Sequence, residues 1–270
     1  MSRSNYFLRL FSPLAIATLL SFASFTARAT DYTDLWWNPA ESGWGINLVQ
    51  SDSFMFATFF IYDPDKKPIW YIAGLTLDSN GNFNGAVYST IGPYYGGAWN
   101  PADVAVTQVG SASFRPTSAY TGTLVYTVTT PPALAATVTK AIQRQSLTQI
   151  TIGGTYVGGQ SGAYSSCSNS GTNATYTDTF TLEVTQGANR SVTFQFSYAS
   201  GVSCSLTGTL TQFGQLYTVP TASYTCSDGL NTNASMSEIK ATSLGIEGRF
   251  SAPSVGGECR EDATFGGPLK

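Results

Sequence analysis

The densest chemistry in the sequence lies in twelve residues, Asp34-Leu35-Trp36-Trp37-Asn38-Pro39-Ala40-Glu41-Ser42-Gly43-Trp44-Gly45, with three tryptophans, an amide before proline and two glycines. Exposed indoles beside a carboxylate or amide stack on sugar rings or other flat, partly apolar groups and orient them by hydrogen bonds. On that reading Trp36, Trp37 and Trp44 offer stacking faces, while Glu41, Asn38 and Asn47 offer hydrogen bonds. On the competing structural reading Trp36, Trp37, Trp44 and Trp70 fill a β core, and Glu41 accepts backbone or indole hydrogens at a tight turn. A second aromatic stretch, Gly92-Pro93-Tyr94-Tyr95-Gly96-Gly97-Ala98-Trp99-Asn100-Pro101, is bounded by Gly and Pro as surface loops are. Tyr94, Tyr95 and Trp99 are therefore the leading candidates for ligand contact, because rigid β scaffolds commonly carry binding side chains on loops. Folded back as a lid, the same rings would cover the core.

Catalytic chemistry has few routes here. The chain has no histidine, which excludes Ser-His-Asp and Cys-His nucleophilic sites and every His-ligated zinc, copper or haem site. Glu41 with Asp52, Asp63 or Asp65 is the carboxylate pairing to weigh for glycoside hydrolysis, although most acids sit in turns where Asp caps backbone. Asp78-Ser79-Asn80-Gly81-Asn82 reads as a hairpin turn, since its glycine falls fourth and the closing glutamate of a calcium loop is missing. The cysteines Cys167, Cys204, Cys226 and Cys259 are separated by 36, 21 and 32 residues. Zinc sites bring cysteines two to four apart, so these read as disulfide partners. No catalytic residue, metal or cofactor is expected.

Around the tryptophans the sequence resembles a family of exported bacterial proteins, largely of unknown function, that carry Trp-Trp-Asn-Pro-x-Glu-Ser-Gly-Trp-Gly near the mature N-terminus. The resemblance continues through Phe56-Ala57-Thr58-Phe59-Phe60-Ile61-Tyr62-Asp63 and Pro68-Ile69-Trp70-Tyr71. It is strong over Leu35–Gly74 and looser over Val109–Gln145, where Val109-Gly110-Ser111-Ala112-Ser113-Phe114 and Lys140-Ala141-Ile142-Gln143-Arg144-Gln145 look similar. It implies export and brings no activity with it.

The elements that must position these residues are strands. Arg3 and Arg9 precede an apolar run, Pro13 to Phe22, too short to span a bilayer, and Ala27-Arg28-Ala29 offers small residues to a signal peptidase. Cleavage near Ala29 would leave a mature chain starting at Thr30, in the periplasm or medium, with no transmembrane segment. Losing Arg3, Arg9 and Arg28 takes the formal net charge from −3 to −6, which disfavours nucleic acid and anionic lipid as partners. After Ala29 alternation dominates, with Phe54–Tyr62 and Ile69–Leu77 separated by Asp63-Pro64-Asp65-Lys66-Lys67-Pro68, then Phe83–Ser89, Val104–Phe114, Tyr120–Val128 and Leu134–Ile142. Several strands lack a continuous lipid-facing apolar row, which argues against an outer-membrane barrel.

All five tryptophans lie before residue 100 and all four cysteines after residue 166, which divides the chain into domains 30–147 and 148–270. The second half offers eight strands, starting with Gln149–Val157, and they suit an up-and-down barrel or a sandwich. Up-and-down order places the four cysteines at one end, favouring Cys204–Cys226 across a hairpin and Cys167–Cys259 between the first and last strands. The chain thus reads as an all-β exported protein of two antiparallel β domains that binds a glycan or another small, flat, partly apolar molecule. A carboxylate-based glycoside hydrolase and an envelope adhesion or assembly subunit pairing through strand edges are the alternatives.

Overall fold

The structure is a computed structural model that describes residues 29–254 and 257–270. The predicted leader lies outside the described residues. The chain is all-β and forms two closed eight-stranded antiparallel barrels.

In the first barrel β1 (Asp34–Trp37), β2 (Gly45–Ser51), β3 (Phe54–Tyr62), β4 (Pro68–Leu77), β5 (Phe83–Ile91), β6 (Ala105–Pro116), β7 (Thr121–Val128) and β8 (Ala136–Arg144) each pair with the next. β8 then returns to β1, with Trp36 opposite Arg144, and closes the sheet. Period-2 alternation sets the interior: Ile46, Leu48, Met55, Ala57, Phe59, Ala73, Leu75, Phe114 and Leu124 are fully or almost fully buried. The connections are made by local chemistry, as where Asp78 Oδ1 accepts from the Asn80 and Asn82 amides and Gly81 takes φ +81°.

The second barrel comprises β9 (Gly154–Ser165), β10 (Ala174–Gln186), β11 (Ser191–Tyr198), β12 (Ser203–Thr209), β13 (Thr211–Phe213), β14 (Leu216–Cys226), β15 (Asn231–Ala241), β16 (Gly245–Pro253) and β17 (Arg260–Pro268). β17 pairs with β9 and β12 with β14, so the unit closes as a barrel and not as a sandwich, with three-residue β13 alongside β14. The first strand starts later than its Gln149–Val157 expectation. Its Gly158, Gly159 and Gly162 have little strand propensity, but β9 and β17 approach so closely that a methyl on Gly158 would lie 2.0 Å from the Gly266 carbonyl oxygen.

Cys204 lies directly opposite Cys226 and bonds to it, and Cys167 bonds to Cys259. Both bridges sit at the end of the barrel that carries the 166–173, 199–202 and 227–230 connections. Among the described residues no helix is long and apolar enough to cross a membrane.

A buried ion pair within the first barrel faces the second. Arg144 Nη1 lies 3.2 Å from Asp34 Oδ2, with both side chains at most 5% exposed. The guanidinium also donates to the Ala119 and Thr33 carbonyls and stacks over the Trp36 ring at 5.1 Å. Asp34 Oδ2 accepts in addition from the Gln215 amide of the second barrel at 2.9 Å. Gly214 makes this approach possible: its φ is +59°, and a methyl there would sit 2.0 Å from Asp34 Oδ2. Tyr120 extends the seam, stacking on Phe213 at 5.0 Å and accepting the Glu238 amide at 2.7 Å.

Candidate functional site

Up-and-down order sends the β1–β2, β3–β4, β5–β6 and β7–β8 connections of the first barrel to one end, opposite the end held by Arg144 and Asp34. Both aromatic clusters singled out in the sequence therefore share that end, 50 or more residues apart in the chain. In the β1–β2 turn Asn38 Oδ1 accepts the Ala40 amide and the Asn38 carbonyl accepts the Glu41 amide. This Asx turn aims Glu41 at the barrel mouth. There Glu41 accepts from Lys140 Nζ at 2.7 and 2.9 Å and from Trp44 Nε1 at 3.1 Å, and Lys140 lies 5.9 Å over the Trp44 ring. The Lys140 ammonium holds the Glu41 carboxyl below its ordinary value, against a smaller opposing effect of burial. Tyr62 braces the turn by donating to the Gly43 carbonyl, where φ is +110°.

Below this rung the interior carries Phe59 and Tyr126, edge to face at 5.4 Å, and Tyr71. Burial raises the hydroxyl pKa of Tyr71 and of Tyr126. The same end of the barrel carries the β5–β6 loop, with Tyr94, Tyr95 and Trp99 exposed by 74%, 88% and 61%. The Tyr94 ring is seated over Gly96, where a methyl would meet it at 2.8 Å. Tyr94 and Tyr95 are 5.3 Å apart at 58°. Asn100 Oδ1 accepts the Ala102 amide and anchors the loop's far side.

The structure separates the remaining candidates. Trp36 is wholly buried, its ring against Phe114 at 5.0 Å and its Nε1 donating to the Tyr32 carbonyl, so it plugs the core and offers no ligand face. Trp37 and Asn47 point to the outside of the barrel, half-buried, while Trp44 faces its mouth. Trp70 also points outward and is 53% exposed, not the core filler considered for it. Asp52 sits in the β2–β3 turn at the opposite end from Glu41, which removes it as a carboxylate partner.

Sequence reasoning missed Lys140 and Arg144 as partners of the tryptophan segment. Their spacing of four on one strand puts both on the same face, and two cations on the inward face of a closing strand are a readable sign of internal partners.

In the second barrel Glu261 is 8% exposed and accepts a hydrogen bond from Tyr176, whose hydroxyl also accepts from Gln160 Nε2 at 3.2 Å; Tyr198 donates to Gln160 Oε1 at 3.1 Å. Burial raises the Glu261 carboxyl, with Tyr176 opposing, and burial likewise raises Tyr176, Tyr198 and Tyr224. The cluster is internally satisfied. A concavity of about 970 Å³ lies outside this barrel, running from Asp31 and Arg144 over Ser161, Arg249, Asp262 and Thr264. Among the described residues no three Cys, Asp or Glu side chains are grouped as metal ligands would be.

No family model and no curated protein matches the chain. Among solved structures it is similar to a DUF3598-family protein of unknown function from Nostoc punctiforme PCC 73102, with 10% identity over 87% of this chain and 93% of that one, at a TM-score of 0.29. It is also similar to a mutant of the vaccine antigen transferrin binding protein B from Haemophilus parasuis Hp5, with 10% identity over 87% of this chain, at a TM-score of 0.33. The chain spans 63% of the length of that antigen. Likenesses this loose carry nothing about ligand or activity.

Proposed function

We propose that this is an exported, non-enzymatic binding module, periplasmic or secreted, that takes a carbohydrate or another flat, partly apolar ligand at the loop-bearing end of its first barrel. The observation that supports it is the loop trio: Tyr94, Tyr95 and Trp99 are strongly exposed at one end of the barrel, and the Tyr94 ring lies packed over Gly96. Stacking faces fixed before binding lose little conformational freedom when a ligand arrives. Trp44, Glu41 and Lys140 lie at the same end and provide polar contacts for a ligand's edges.

A glycosidase acid needs a carboxyl raised toward neutrality, whereas Glu41 is held ionised by Lys140. Both sheets are closed apart from β13, so pairing through open strand edges has little to act on. Glycan-array screening of the mature protein tests the reading. Tyr95→Ala and Trp99→Ala should abolish retained binding while leaving the melting temperature in place. A loss of stability with unchanged binding, or an array with no bound glycan, would overturn it.

A further inference from the structure

The outer surface of the first barrel has two unlike halves. On β2 to β5 the outward positions hold Val49 opposite Phe56, Phe60 opposite Trp70, Tyr62 opposite Pro68 and Ile72 opposite Tyr88. Phe56, Phe60 and Trp70 are 40%, 53% and 53% exposed. The outward positions of these four strands, from Gly45 on β2 to Thr90 on β5, include no Asp, Glu, Lys or Arg. β3 is consequently apolar on both faces, a pattern expected of a strand covered on both sides. The other half is built differently: outward positions are Thr121, Thr123, Val125 and Thr127 on β7 and Thr137, Thr139, Ala141 and Gln143 on β8. A barrel ringed by lipid would need an apolar girdle on every strand, and this one has it on half.

We infer that the β2–β5 face is where two copies of this chain pair, sheet against sheet, about a twofold axis. Two features favour a second copy. A twofold axis brings each surface group near its own symmetry mate, so charges close to the axis repel, and this face has none. Four strands about 4.8 Å apart and about 30 Å long also give roughly 550 Å² of mean face. Protruding aromatic rings and the adjoining exposed Val106, opposite Thr90, carry that toward the roughly 800 Å² per partner of a stable interface. The mature chain's acidity argues against an anionic membrane as the alternative cover.

Sedimentation equilibrium of the mature protein tests this. The wild type should show twice the monomer mass, with or without glycan. Phe60→Lys combined with Trp70→Lys should weaken self-association by about thirtyfold or more, as loss of hot-spot aromatics does. Thr123→Lys with Thr139→Lys, on the hydroxyl-rich half, should leave it intact. Should the aromatic double variant fail to fold, Thr58→Cys in the middle of the face provides an independent reading: mild oxidation should link two chains, and Thr123→Cys should not. A wild type monomeric at every concentration, a dimer that survives the Lys variants, or a monomer that floats with phosphatidylcholine vesicles would overturn the inference, the last assigning the face to lipid.

Discussion

The two barrels share an eight-stranded up-and-down topology but hold their ends and their buried polar groups by opposite means. The first has no cysteine and relies on charge: Arg144 with Asp34 and the Trp36 ring at one end, Lys140 with Glu41 and Trp44 at the other. The second uses covalent bonds, with both disulfides at one end, and its buried carboxyl, Glu261, accepts from the Tyr176 hydroxyl. A closed sheet therefore leaves open how its mouth is fixed, and that choice sets which solution condition weakens each barrel.

The sharpest way to break the contrast is at Arg144. Arg144→Met strands a buried Asp34 carboxylate and should destabilise the protein by about 3–5 kcal/mol, read by urea unfolding. Because Asp34 also accepts from Gln215, susceptibility of the 145–153 connection to limited proteolysis should rise in parallel. A loss below about 1 kcal/mol would mean that the pair contributes no more than an exposed one.

Next in size are the disulfides. Replacing Cys167 and Cys259 by Ser should cost about 2–5 kcal/mol, about 1 kcal/mol more than replacing Cys204 and Cys226, because the loops span 92 and 22 residues. Reductant should shift only the unfolding of the second barrel, since the first contains no cysteine. Equal shifts in probes placed on both barrels would show that the two unfold as one unit.

These differences were unequally legible in the sequence. Alternation and turn residues disclosed the strands of both halves, and up-and-down strand order was enough to put four cysteines at one end. Strand β1 was hidden because Asp34–Trp37 is only four residues long and reads as a tryptophan cluster before it reads as a strand. The partners of that cluster lie 99 and 110 residues away, on β8, and only closure of the sheet brings them into contact. The aromatic loop was visible because Gly and Pro bound it, whereas the outward aromatic face was not. Phe54–Tyr62 is apolar at nearly every position, so the pattern alone does not say which side faces water.

The smallest effects expected are in the pH dependence, and they have opposite signs. Burial raises Glu261 in the folded state, so its contribution is complete below the ordinary carboxyl pKa of 4.5 and is lost as pH rises through the higher folded value. Glu41 is lowered by Lys140, so its contribution is present above that ordinary value and is lost as pH falls through the lower folded one. Melting temperature followed from acid to neutral pH should therefore lose part of its decline toward neutrality in Glu261→Gln, which keeps an acceptor for the Tyr176 hydroxyl. Glu41→Gln should flatten the acid limb instead, and by less, since Glu41 is solvent-screened at the mouth. If both variants moved the same limb, the tyrosine setting of Glu261 would be acting as an ion-pair partner does, and the division between a barrel held by charge and one holding a carboxyl out of water would fail.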